Sequence, residues 1–178
     1  PSNAIRKAAR DYAIENELDF FDIADKEGFL RALTIRISST GEIMVLFQFF
    51  YEDELKRLGL LGYIKEQFPE ISSLLYTINE KGNETIFDLD IITFSGADCI
   101  YEEMENLKFK IGPKSFYQTN SKQAYELYKI TRELAQIEKN DIVYDLYTGT
   151  GTIAQFVGKN ALMVIGVDSV PEAIEAAK

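Results

Sequence analysis

Histidine is absent from the 178 residues, and cysteine occurs once, at Cys99. Without histidine the chain can hold neither a Ser-His-Asp triad nor a histidine-based metal site. A single cysteine excludes an internal disulfide framework and any cysteine-rich zinc or iron–sulfur centre. No metal site is therefore expected. No apolar run approaches the roughly 20 residues that a membrane span needs. No N-terminal segment shows the basic, apolar and small-residue order of a signal peptide. The expectation is a protein without a membrane span, in the cytoplasm. Basic residues are also few, 19 against 29 acidic ones, giving a net charge of −10. That balance argues against a broad electrostatic grip on nucleic acid.

What is present fits a folded domain: 46% of the residues are hydrophobic. The charge is uneven. Residues 1–110 hold 12 basic and 21 acidic side chains, whereas residues 111–178 hold 7 and 8. A composition break near residue 110 follows, and the element pattern changes there too.

The first stretch predicts a helix from a cap at Ser2 or Asn3 to about Asn16, with Ile5, Ala8, Ala9, Tyr12 and Ala13 on one face. Alternation over Phe29–Ser38, a turn at Ser39-Thr40-Gly41 and an apolar run over Glu42–Tyr51 predict a β-hairpin. Glu52–Phe68 reads as a helix with Leu55, Leu58, Leu61 and Ile64 inward, a reading weakened by Gly59 and Gly62. Strands follow over Leu74–Asn79, Leu89–Phe94, Asp98–Met104 and Leu107–Ile111. Cys99 reads as a buried small residue. Glu102, Glu103 and Glu105 read as a solvated face. This is an α+β unit with helices on one face of a mostly antiparallel sheet.

After Pro113 the pattern becomes α/β. A helix over Ser121–Ile137, capped by Ser121 or Asn120, leads to a short strand at Ile142–Leu146. A glycine turn, a helix over Ile153–Lys159 and a strand over Leu162–Val167 follow, and Pro171 opens another helix. The chain stops after two strands of a parallel sheet, which ordinarily needs more. It is expected to be part of a longer protein. Residues 140–178 are expected to be poorly ordered, or to self-associate by pairing the open sheet with another copy.

The chemistry concentrates in Asp145-Leu146-Tyr147-Thr148-Gly149-Thr150-Gly151-Thr152, between a strand and a helix. The glycines permit a tight turn and close backbone approach to a ligand, and the helix start offers unpaired N–H groups. Asp168 ends the next strand, where a carboxylate can accept both hydroxyls of a ribose. Gly149, Gly151 and Ala154 satisfy a dinucleotide pattern, so an NAD-type enzyme stays open. Asp145 favours a cationic ligand with an amino acid head, as in S-adenosylmethionine. A second group, Phe116-Tyr117-Gln118-Thr119-Asn120, sets aromatic rings beside amides. Rings can stack a nucleobase and amides can read its edge, but a strand end followed by a helix cap explains the same residues.

Phe109-Lys110-Ile111-Gly112-Pro113-Lys114-Ser115-Phe116-Tyr117-Gln118-Thr119-Asn120, followed by the Asp145–Thr152 motif, resembles the RNA (uracil-5-)-methyltransferase family. The resemblance implies an S-adenosylmethionine-dependent enzyme methylating C5 of a uridine in ribosomal or transfer RNA. It covers residues 107–178 directly, as the start of a Rossmann-like cofactor domain. Residues 1–106 resemble the central α+β domain of the same enzymes. Gln118, Tyr147, Thr152 and Asp168 match cofactor-contacting positions, Gly149 and Gly151 shape the pocket, and Phe116 matches the aromatic residue near the target base. Thr148 stands where the family commonly has cysteine, and Asp168 where glutamate is usual. The family's nucleophilic cysteine and base lie downstream of the Asp168 strand, beyond Lys178. An oligonucleotide-binding barrel, with an iron–sulfur site in some members, precedes the central domain in many members. The 178 residues alone are thus expected to be inactive. The alternatives are an NAD-type enzyme and a non-catalytic module that docks RNA or protein.

Overall fold

The computed structural model describes residues 1–177, which divide into two compact units. The first holds residues 1–37 and 41–100, and the second holds 38–40 and 101–177. The expected boundary at 106/107 therefore falls later than the structural division. The difference is residues 101–106, most of one strand and its turn, which group with the second unit.

The first unit begins with α1 (Ser2–Glu15), which starts directly after Pro1 with no side-chain cap. Ser2 and Asn3 are thus inside the helix rather than capping it. Ile5, Ala9 and Ala13 recur at four-residue spacing and are buried. β1 (Leu30–Ile37) pairs antiparallel with β2 (Ile43–Phe49), as the alternation requires. α2 (Glu54–Gln67) then carries the chain across to β3 (Ser73–Ile78), which lies parallel to β2. β4 (Ile92–Gly96) returns antiparallel, giving the sheet order β1-β2-β3-β4. The sheet is mostly antiparallel, with a β-α-β crossover at its centre.

Ile43, Val45, Phe47 and Phe49 of β2 join the buried residues of both helices in one core. Phe29 and Phe49 stack there with centroids 4.7 Å apart. The inward face of α2 is Leu60, Leu61 and Ile64, whereas Leu55 and Leu58 are exposed. The reason is at Gly59. A side chain there would meet the Tyr12 hydroxyl at 2.6 Å, so α1 seats against the glycine and fixes the rotation of α2.

In the second unit, β5 (Ile100–Met104) pairs with β6 (Leu107–Ile111) through a two-residue turn, where Glu105 takes a positive φ of 53°. α3 (Ser121–Ala135) is capped by Asn120, whose side chain accepts the Gln123 N–H at 3.1 Å. β7 (Ile142–Leu146) pairs in parallel with β8 (Met163–Val167). Between them run α4 (Thr152–Val157) and a 3-10 turn at Gly158–Asn160, and α5 (Pro171–Ala177) follows β8. Residues 140–177 thus take defined elements, where poor order was one of two expectations.

Phe156 of α4 is fully buried and meets Tyr125 edge-on and Tyr128 at 5.9 Å, both from α3. Arg132 lies over the same ring at 4.3 Å and donates to both Glu105 oxygens. Lys159 reaches the same carboxylate at 3.9 Å. Glu105 is thus exposed, as a solvated face requires, and also anchors these ion pairs. Its carboxyl is held below the ordinary value, first by the Arg132 hydrogen bond. Among the described residues no helix is long and apolar enough to cross a membrane, and no three metal-ligating side chains cluster.

Candidate functional site

The parallel pairing of β7 and β8 brings the ends of both strands to one edge. Asp145 is the penultimate residue of β7, and Asp168 directly follows β8. Ligands of open α/β sheets bind outside these carboxyl ends. The loop between β7 and α4 departs from ordinary backbone at three of its residues. Tyr147, Gly149 and Gly151 have φ of 64°, 56° and 74°. Glycine adopts these values freely, whereas tyrosine does so at a cost of roughly 1–2 kcal/mol. Gly151 is also tightly placed, because an added Cβ would stand 3.0 Å from the Ala177 Cβ and 3.2 Å from Gln155 Nε2.

Hydrogen bonds hold this conformation from below. Oδ2 of Asp145 accepts the Thr148 hydroxyl at 2.9 Å and the Ala154 N–H at 3.1 Å. The Thr148 N–H donates to the Val167 carbonyl at 3.0 Å, tying the loop to β8. Thr148 is buried with its methyl and hydroxyl against Gly166. Thr152 is buried too, and its hydroxyl pairs with that of Thr150 at 3.0 Å. Asp145 and Thr152 are thus built into the loop's foundation. A carboxylate has about four acceptor sites, so two donors on Asp145 leave capacity for a cationic neighbour.

The upper side of the loop is open. The Tyr147 side chain is 90% exposed. Oδ2 of Asp168 accepts the Gly149 N–H at 2.8 Å, and Oδ1 accepts the Val170 N–H at 2.9 Å. These backbone donors, Val170 first and then Gly149, hold its carboxyl below the ordinary value. Asp168 is therefore a fixed, ionised acceptor at the strand ends. Tyr128 of α3 is shifted the other way, first by burial and then by the Asp145 charge.

Asp145, Thr148, Gly149, Thr150, Thr152 and Asp168 form one connected loop site. Phe116 and Gln118 lie on a different segment, the loop between β6 and α3, and both are exposed, Phe116 by 77%. Tyr117 beside them turns inward against Phe109, with centroids 6.4 Å apart. Two clefts of about 270 and 160 Å³ lie in the first unit. One is lined by Ser2, Asn3, Arg6, Leu33 and Ile35, and the other by Lys65, Phe68 and their neighbours. Neither holds a carboxylate, so the loop with its two aspartates is the stronger site.

Sequence reasoning missed Glu102, which is buried rather than solvated at 5% exposure. Its Oε2 accepts the Ser39 N–H and hydroxyl at 3.0 and 2.5 Å, and Oε1 accepts the Ser121 hydroxyl at 3.0 Å. The signal was available, since period-two alternation places Glu102 between buried Ile100 and Met104.

No family model matches the chain. It is 58% identical, over 180 aligned residues, to an uncharacterized RNA methyltransferase of Bacteroides thetaiotaomicron, covering 99% of the chain and 40% of that protein. A second uncharacterized RNA methyltransferase, from Porphyromonas gingivalis, is 53% identical over 179 residues, covering 99% and 38%. Among solved structures, the Pyrococcus abyssi tRNA (uracil-54, C5)-methyltransferase in complex with S-adenosyl-L-homocysteine matches with a TM-score of 0.76 and 28% identity. That match covers 96% of the chain and 41% of the other. The chain spans about two-fifths of the length of these curated relatives. The resemblance to RNA methyltransferases, read first from two motifs, extends over nearly the whole chain.

Proposed function

We propose that the chain is the central and cofactor-cradling part of an S-adenosylmethionine-dependent RNA methyltransferase that acts on C5 of a uridine. The first unit corresponds to the central α+β domain, and the second to the start of the Rossmann-like cofactor domain. The observation that carries this reading is the Asp168 carboxylate. Two backbone N–H groups fix it at the ends of two parallel strands, beside an open loop of positive-φ residues. An ionised acceptor so placed suits the two ribose hydroxyls of an adenosine.

The same geometry disfavours a dinucleotide. A pyrophosphate would need loop N–H groups such as that of Gly149, which Asp168 already occupies. The exposed Tyr147 ring offers a face beside the ribose site. Gly149 and Gly151 let the backbone approach the ligand, over a floor set by Asp145 and Thr152. Gln118 and Phe116 face solvent on their own loop, Gln118 for the cofactor and Phe116 for the target base. A ribosomal or transfer RNA substrate is part of this reading, and a cytoplasmic location goes with it.

The likeness to the P. abyssi enzyme supports uridine C5 as the target. That chemistry requires a thiolate that adds to C6 and later leaves. The chain's one cysteine, Cys99, is buried at 5% exposure and belongs to the first unit, whereas the loop belongs to the second. The 178 residues are therefore expected to transfer no methyl group to unmodified ribosomal or transfer RNA. Incorporation of labelled methyl at a steady rate would overturn that expectation.

Titration calorimetry tests the cofactor. S-adenosylhomocysteine is expected to bind. Asp168→Ala, which removes a charged acceptor worth about 1.5–3 kcal/mol, should weaken it by roughly ten- to a hundredfold. Binding of NAD with none of S-adenosylhomocysteine would refute the reading.

A further inference from the structure

We infer that Glu102 is a positioning residue that holds the Phe116–Asn120 loop in its ligand-facing conformation by gripping Ser121 at the start of α3. The inference rests on the cofactor reading above, because Gln118 is placed at the ligand there. Glu102 is buried, and the groups that satisfy it are neutral: the Ser39 N–H, the Ser39 hydroxyl and the Ser121 hydroxyl. A buried carboxylate whose donors among the described residues are neutral is expensive, and a hydrophobic residue would fill a strand interior more readily. Its place between Ile100 and Met104 fits a need for a forked polar group that reaches in two directions.

Oε2 serves the turn residue Ser39, and Oε1 serves Ser121. Ser121 follows Asn120, whose side chain caps α3, and Asn120 ends the Phe116–Asn120 segment. One carboxylate thus fixes the C-terminal anchor of the loop that carries Phe116 and Gln118. Tyr117, within that loop, supports the link. Its hydroxyl is buried with no hydrogen-bond partner among the described residues. Burial first, and the Glu102 charge next, keep its phenol protonated. The loop therefore packs Tyr117 within the field of the same carboxylate while Phe116 and Gln118 face outward.

Three variants separate positioning from simple stability. Ser121→Ala removes only the leg that reaches the loop, Ser39→Ala removes one donor on the other leg, and Glu102→Gln keeps the shape, with its amide oxygen left for the Ser39 donors and its NH2 able to donate to the Ser121 hydroxyl. Two readouts are taken on the 178-residue chain: S-adenosylhomocysteine affinity and amide hydrogen exchange of residues 116–123. Ser121→Ala should speed exchange in that segment about tenfold, the scale of one lost hydrogen bond. It should weaken S-adenosylhomocysteine by about tenfold as well. Glu102→Gln and Ser39→Ala should stay near the unmutated chain in both.

Unchanged exchange over 116–123 in Ser121→Ala overturns the inference. So does faster exchange with affinity intact, since Glu102 would then stabilise without positioning. If the unmutated chain binds no S-adenosylhomocysteine, the cofactor reading fails, and the exchange pattern still decides whether Glu102 holds the loop.

Discussion

Tyr147 combines a left-handed backbone, at φ 64°, with a side chain almost wholly in solvent. Nothing in the fold's packing asks for a tyrosine there, whereas the ligand contact proposed above would use its ring. Tyr147→Gly separates the two. It relieves strain of roughly 1–2 kcal/mol, offset by about 0.5–1 kcal/mol of extra chain entropy. The thermal midpoint should hold or rise slightly while S-adenosylhomocysteine affinity falls. A fall in midpoint with affinity unchanged would remove Tyr147 from the site. The loop's turn and its two aspartates were legible in the sequence because glycine spacing and acidic positions after strands set local geometry. Thr148 was legible only as a departure from the family's cysteine. That its hydroxyl would hold Asp145, and its bulk press on Gly166, depends on a contact between β7's loop and β8. No local pattern encodes such a contact.

Elements were legible where a period is strong. β7 falls at Ile142–Leu146 as expected, and α1 buries the expected face. α2 is rotated because Tyr12, 47 residues before Gly59, chooses which side faces in. The parallel β2–β3 pairing was not legible, since alternation gives faces and not partners. In the second unit, α3 and α4 meet on Phe156, and Phe156→Ala should cost about 3–5 kcal/mol of stability by chemical denaturation. The same elements carry the pH dependence. The folded carboxyls of Glu105 and Asp168 both lie below their ordinary values. The unfolded chain therefore takes up protons first as pH falls. Their stabilisation is complete above the ordinary carboxyl range, about 4. It is lost as pH drops through the lower folded values. Glu105→Gln should flatten the acid limb of a stability–pH profile measured by urea melts. An identical acid slope would mean that the Arg132 pairing contributes nothing.

The whole molecule divides near residue 100, close to where charge and pattern change, and the second unit ends in an apolar surface. Ile142, Tyr144 and Leu146 alternate along β7 and are exposed, as are Leu162, Met163 and Val167 around β8. Leu127, Ile130 and Leu134 form a further exposed stripe on α3 at helical spacing. A two-stranded sheet is weak by itself, and a second copy could supply both more strands and an apolar cover. Self-association through this sheet is the outcome expected of the 178-residue chain in solution. Sedimentation velocity over a hundredfold range of concentration should show a shift from monomer to dimer. Tyr144→Lys places a charge on the exposed face without touching a buried contact, and should move the shift to higher concentration. A second charge at Leu134 tests whether the helix stripe takes part: if Leu134→Lys has no effect while Tyr144→Lys does, the sheet alone pairs. A monomer at every concentration, with both variants unchanged, would mean that the apolar face is tolerated in water and that the association proposal is wrong.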